Sequence, residues 1–88
     1  MEIEFDNAKR NKTLRERGLD FADVAKLDRD IALTVKDARN NYGETRFISV
    51  GYIDDRLCVV AWTYRGENLR VISLRKANKR EIRQYEKT

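Results

Sequence analysis

The chain has 88 residues, room for one small domain over 1–88, and its 41% hydrophobic content supplies a core while 39% charged residues leave an ionised surface. Nineteen Lys and Arg against fifteen Asp and Glu give a net charge of +4 and a pI near 9.4, which favours a polyanionic or acidic partner. The absence of His and the single Cys exclude a Cys/His zinc site, a Ser-His-Asp triad, a His-based acid–base pair and an intramolecular disulfide.

Pro is absent, so Gly18, Gly43, Gly51 and Gly66 carry the punctuation together with Asn and Asp clusters. Ile3 and Phe5 alternate with Glu2, Glu4 and Asp6, as in a short edge strand. A helix follows over 7–17 with a thin apolar stripe, Ala8 and Leu14, and Gly18 stands where a C′ glycine ends it. Asp20 can cap a second helix carrying Phe21, Val24 and Ala25 on one face, which makes an αα-hairpin. Ile31, Leu33 and Val35 alternate as a strand that leads into a polar loop over 37–43.

Three further strands are predicted over 44–53, 57–65 and 69–76, the last two joined by a Gly66-Glu67 turn. That turn pairs Thr63 with Arg70, Ala61 with Ile72 and Val59 with Leu74, and the face they share is the better core face. The other face carries Tyr64, Trp62 and Val60 beside Leu69, Val71, Ser73 and Arg75, and a one-residue slip would exchange the two. Cys58 lies in the apolar run 57–62 and reads as a packed thiol, which points to a reducing compartment. Asn78 and Glu81 form a capping-box pair for a last helix with Ile82 and Tyr85 inside and Lys79, Arg83 and Lys87 as a basic ridge flanked by Lys76 and Arg80. The fold class is therefore α+β in the order β-αα-ββββ-α, on a mostly antiparallel sheet.

Charge is unevenly placed. Residues 1–63 hold eleven basic and twelve acidic side chains, whereas 64–88 hold eight basic and three acidic. A basic stripe beside Trp62 and Tyr64 is the composition of a groove for single-stranded nucleic acid, phosphates supplying attraction and rings supplying stacking. The same residues can instead be a packed Trp and a solvated helix whose cations favour its dipole. The longest apolar run is six residues and the N-terminus Met1-Glu2-Ile3-Glu4 is acidic, so neither a membrane span nor a signal peptide is expected, and the reading is cytoplasmic with no membrane partner.

The run Arg70-Val71-Ile72-Ser73-Leu74-Arg75-Lys76-Ala77, followed by Glu81 and Tyr85, resembles the C-terminal pattern of the BrnT ribonuclease toxins of type II toxin–antitoxin systems. Glu44, Arg46, Gly51, Thr63, Arg65 and Gly66 extend the similarity upstream, and Phe5, Asp6, Lys9, Gly18, Phe21 and Ala25 carry it to the N-terminus. The family commonly has His before the glycine of the first helix; here that residue is Arg17, and Glu16 stands where Lys is usual. The resemblance implies a RelE-like fold and cleavage of mRNA. It also implies neutralisation by a BrnA-like ribbon-helix-helix antitoxin, through which the complex would reach operator DNA.

Cleavage through the ribose 2′-hydroxyl needs a base, an acid and cations at the transition-state phosphate, and asks for no His, metal or other cofactor. Arg65, Arg75 and Lys76 are candidates to cradle that phosphate, and Glu44 or Tyr85 to handle protons. Lys9, Arg17, Arg46, Lys79, Arg80 and Arg83 are candidates to hold RNA, with Arg46 equally able to pair with Glu44. The rival expectation is a catalytically impaired homologue that keeps antitoxin binding and co-repression, or an RNA-binding module; Arg17 and Glu16 favour it.

Overall fold

The computed structural model describes residues 2–28, 30–38 and 43–87. Helix α1, Asn7–Arg17, begins where the Asp6 carboxylate accepts from the N–H groups of Ala8 and Lys9 at 2.8 and 3.1 Å. It ends at Gly18, whose φ of +68° lets its N–H return to the Leu14 carbonyl. None of its residues is buried; Ala8 and Leu14, the expected core contacts, remain exposed. Two side-chain ties hold α1 instead: Arg10 grips Asp20 through two bonds of 2.9 and 2.7 Å, and Arg17 Nη1 donates to the Leu74 carbonyl at 2.8 Å.

The expected second helix is a 3₁₀ turn, Phe21–Lys26, capped by Asp20 through the Ala22 N–H. Phe21 and Val24 are buried, but Ala25 is exposed and six residues give too short an apolar stripe to propagate an α-helix. Helix α2, Lys79–Glu86, begins with the predicted capping box: Glu81 N–H donates to Asn78 Oδ1 at 2.8 Å and Asn78 N–H to Glu81 Oε1 at 2.9 Å. Among the described residues no helix is long and apolar enough to cross a membrane.

The five strands are β1 (Ile3–Glu4), β2 (Leu33–Asp37), β3 (Arg46–Ile53), β4 (Arg56–Arg65) and β5 (Asn68–Lys76), in spatial order β1-β5-β4-β3-β2. The sheet is mixed rather than mostly antiparallel, because β1 lies parallel to β5 through Ile3↔Leu69 and Glu4↔Arg70 while the other pairings are antiparallel. The strand expected from Ile31 starts at Leu33, and residues 39–42 of the expected polar loop lie outside the described residues.

A β-bulge sets the faces of β5. The pairs Arg65↔Asn68, Tyr64↔Leu69, Thr63↔Arg70 and Trp62↔Val71 run regularly, then the register shifts so that Ala61 faces Ser73, Val60 faces Leu74 and Val59 faces Arg75. The expected pairs Ala61 with Ile72 and Val59 with Leu74 are therefore displaced by one residue, Ile72 being the extra one. One extra residue reverses every side chain beyond it. Leu74 moves into the core, Arg75 joins the face of Arg65 and Lys76 crosses to the face of Cys58.

The core also lies on the face opposite to the one expected. Cys58, Val60 and Trp62 of β4 meet Leu69, Val71 and Leu74 of β5 under the 3₁₀ turn, with Leu19, Phe21, Val24 and Leu27 closing the layer. Trp62 is 5% exposed, stacks on Phe47 at 4.7 Å between centroids, and donates from Nε1 to the buried Ser49 hydroxyl at 2.8 Å. That hydroxyl also shares a 2.7 Å bond with Thr34 Oγ1. Trp62 is thus a packed ring, leaving Tyr64 as the exposed neighbour. Cys58 is buried as expected, and burial pushes its thiol pKa up.

Gly51 sits where Leu27 and Ala32 cross β3. A Cβ there would lie 2.7 Å from Leu27 Cδ1 and 3.0 Å from Ala32 Cβ. Gly51→Ala is expected to cost ~1–3 kcal/mol by overpacking, read as a lower midpoint in urea unfolding.

The Arg10 guanidinium, with the Ala22 N–H, holds the Asp20 carboxyl down at about 2. Because the folded-state value lies below the ordinary one of about 3.9, the stabilisation is complete above that value and is lost as pH falls toward 2. Arg10→Ala is expected to raise the midpoint of acid unfolding, measured by circular dichroism between pH 5 and 2, and an unmoved midpoint would show that the tie contributes nothing.

Candidate nucleic-acid interface

The sheet face away from α1 is partly covered by α2 and otherwise open. Alternation along the strands puts one continuous row across it, Asp37, Arg46, Thr63, Arg70 and Glu4, each the register partner of the next. Arg65 and Asn68 pair one alternation further along β4 and β5, toward the Gly66 turn. In the opposite direction comes a row of small and aliphatic residues, Val35, Ile48, Ala61 and Ser73, and then Val50, Val59 and Arg75. Ala61 is half-buried and Ser73 exposed, so they form a low floor between two groups of guanidiniums.

The first group is Arg46, Arg65 and Arg70 with carboxylates interleaved. Arg46 Nε donates to Glu44 Oε2 at 3.1 Å, and Arg65 Nη2 lies 3.9 Å from Glu44 Oε1. Arg70 Nη1 and Asn68 Nδ2 each donate to Glu4 at 3.1 Å, Asn68 first and Arg70 next lowering the pKa of its carboxyl. The Thr63 hydroxyl donates to the Thr45 carbonyl at 2.6 Å, fixing the chain just before Arg46. Arg46 therefore takes the carboxylate pairing that its spacing to Glu44 allowed.

Arg75 forms the second group. Its Nη1 and Nη2 donate to Glu81 Oε1 and Oε2 at 2.8 and 2.9 Å, a fork that keeps the Glu81 carboxyl at about 2. Arg65 lies opposite Asn68 and Arg75 opposite Val59, six residues apart along β4, or about 20 Å. Arg65 and Arg75 share a face but stand too far apart to meet at one phosphate. Lys76 does not join them, since the bulge turns it to the side of Cys58; one phosphate cradled by all three, as the sequence suggested, is not formed.

The other candidates are dispersed. Tyr85 contacts the Tyr52 ring at 5.7 Å and its hydroxyl donates to the Ile31 carbonyl at 3.3 Å, about 6 Å further along α2 than Glu81. Lys79, Arg80 and Arg83 are exposed on α2. Lys9 and Arg17 lie on α1, around a recess at the edge of β5 shared with Lys12, Thr13, Ile72 and Ser73, where Arg17 is engaged with the Leu74 carbonyl. Arg70 was missed; its predicted pairing with Thr63 was the signal that it shares a face with Arg65. Among the described residues no group of three or more His, Cys, Asp and Glu could hold a metal ion.

The protein is a five-stranded α+β domain with α1 and the 3₁₀ turn on one face of the sheet and, beside α2, an arginine-lined surface on the other, a basic face suited in charge to a polyanion. The chain belongs to the BrnT family, the ribonuclease toxins of type II toxin–antitoxin systems, whose family model matches residues 5–81. Among solved structures it is similar to the crystal structure of the Brucella abortus ribonuclease toxin BrnT, with 28% identity and a TM-score of 0.69 over 90% of this chain and 99% of that one. No curated protein matches it.

Proposed function

We propose that this chain is a cytoplasmic, single-domain endoribonuclease that cuts mRNA and so arrests translation, with its cleavage centre on the open sheet face. The observation that carries the reading is the gathering of Arg46, Arg65 and Arg70 with Glu44 on the face that the bulge also gives to Arg75. RNA lies along β4 and β5 over Ala61 and Ser73, one phosphate at Arg75 and another at Arg46 and Arg65. Glu44, held by those two guanidiniums, takes the 2′-hydroxyl proton as the oxygen attacks phosphorus. The arginines offset the added charge of the transition state. The leaving 5′-oxygen takes its proton from water, because Tyr85 stands beside Tyr52, six residues or about 20 Å along β3 from Arg46 and its partner Glu44, and no metal ion or cofactor enters the chemistry.

The ion pairs that hold these arginines do not bar the substrate. Arg65 and Arg75 are 55% and 45% exposed as side chains, and pairs in that setting contribute about 0–1 kcal/mol, less than a charge-assisted bond to phosphate. The partners that complete the reading are a ribbon-helix-helix antitoxin and, through it, operator DNA; a RelE-like arrangement of the fold belongs to the same proposal.

One observation favours the rival reading, an impaired toxin kept for antitoxin binding: Arg17, where the family commonly has His, is engaged with the Leu74 carbonyl at the edge of β5. Purified chain mixed with end-labelled single-stranded RNA in EDTA separates the two. Shortened RNA is expected; RNA that is shifted but intact supports the rival, and RNA cut only when a divalent cation is restored removes the metal-independent mechanism.

A further inference from the structure

Helix α1 carries Lys9, Arg10, Lys12, Arg15 and Arg17 against a single carboxylate, Glu16. Arg10 is engaged with Asp20, but Lys9, Lys12 and Arg17 line a recess of about 200 Å³ against the edge of β5, with Ser73 on its sheet side. The guanidiniums of the open face are each tied to a carboxylate, Arg46 and Arg65 to Glu44, Arg70 to Glu4 and Arg75 to Glu81. Among the described residues no carboxylate forms an ion pair with Lys9, Lys12 or Arg17, not even Glu16 in the same recess, and the bond of Arg17 goes to a neutral carbonyl. Two residues join this recess to the open face. Ser73 pairs with Ala61 on the floor of that face and also lines the recess. Leu74, whose carbonyl holds Arg17 at the strand edge, is next in the chain to Arg75. Strand β1 borders β5 only at Leu69 and Arg70, so among the described residues no strand closes the edge where the two surfaces meet.

We propose that the α1–β5 recess seats the RNA backbone where it leaves the sheet. Beyond Arg75 the strand turns over the edge of β5 at Ser73 and Leu74 and lays its next phosphates along α1 at Arg17, Lys12 and Lys9. These cations extend over eight residues of helix, or about 12 Å, a stripe that tracks a backbone rather than a single anion. An ammonium group with no ion pair takes a phosphate without giving up a partner, and three cations outweigh the one carboxylate beside them. Arg17, standing where the family commonly has His, keeps its charge at every working pH and has further N–H donors besides the one bonded to Leu74. Glu44 lies at the far end of the open face from Arg75, so the recess contributes binding shared by substrate and transition state and leaves the chemistry to that end.

The inference rests on the proposed RNA path, and its test separates the two. Fluorescent 2′-O-methyl RNA, which lacks the attacking hydroxyl, is titrated into wild type and the double variant Lys9→Ala/Lys12→Ala in two lengths, one cut to the ~20 Å from Arg65 to Arg75 and one twice as long. Wild type is expected to bind the longer RNA more tightly. The double variant should lose about tenfold on it and show a slope of log affinity against log salt shallower by about 1.4, the value for two phosphate contacts. The shorter RNA should bind both proteins alike, and with cleavable RNA of the longer size the loss should fall on KM rather than kcat. Both lysines are exposed and Ala favours a helix, so thermal unfolding should stay near wild type; Arg17 is left in place because it also ties α1 to β5. If the double variant unfolds, the salt slope of Lys12→Glu decides alone. Equal affinity of wild type for the two lengths, or an unchanged salt slope in the variant, overturns the recess and leaves the cleavage centre intact. Length-dependent binding through Lys9 and Lys12 by a chain that cuts no RNA upholds the recess and removes the nuclease reading, and no RNA binding overturns both. A poly-glutamate peptide whose binding needs these lysines while RNA binding does not assigns the recess to an acidic protein segment and overturns the RNA seat.

Discussion

Arg65→Ala and Arg75→Ala are each expected to lower kcat/KM for cleavage of a short single-stranded RNA by about tenfold to a hundredfold, and the double variant by close to the product of the two. A charge-assisted hydrogen bond to phosphate is worth ~1.5–3 kcal/mol, which sets the size of each loss. The multiplicative outcome follows from the register: Arg65 opposite Asn68 and Arg75 opposite Val59 stand about 20 Å apart on one face and share no carboxylate, Glu44 serving the first and Glu81 the second. Two arginines on a single phosphate would instead give a double variant hardly worse than either single one. Glu44→Gln completes the set, since loss of a proton acceptor lowers kcat by a factor of about 10²–10⁴ with KM little changed. Cleavage at wild-type rate by all three variants removes the open sheet face as the cleavage centre.

Trp62→Ala is expected to be the most destabilising single change in the chain, at ~3–5 kcal/mol. It empties the middle of the core, ends the stack with Phe47 and takes away the partner that the buried Ser49 hydroxyl receives from Nε1. A domain of this size has only about 5–15 kcal/mol in total, so the change removes a large fraction of the stability. Trp62→Phe keeps a ring on Phe47 and loses the donor alone, and since Ser49 still bonds Thr34 the cost should be ~1–2 kcal/mol. Urea unfolding followed by circular dichroism measures both, and equal midpoints for Trp62→Ala and wild type would mean that the ring is not part of the core.

The sequence by itself determined the features whose partners lie within a few residues. Asp20 caps its helical turn, Gly18 closes α1 in the left-handed region, and Asn78 and Glu81 bond each other's backbone N–H, all as their spacing predicted, while Asp6, read as part of the edge strand, caps α1. The strand segments and the turn at Gly66 were equally legible, because alternation and glycine act locally. Which face each strand buries was decided by the tertiary structure. A sheet register is the joint optimum of every side chain on neighbouring strands, and the extra residue at Ile72 is admitted because it sends Val71 and Leu74 together under the 3₁₀ turn with Trp62 and Val60. That packing choice, made in the core, is what carries Arg75 to the side of Arg65 and Lys76 away from it.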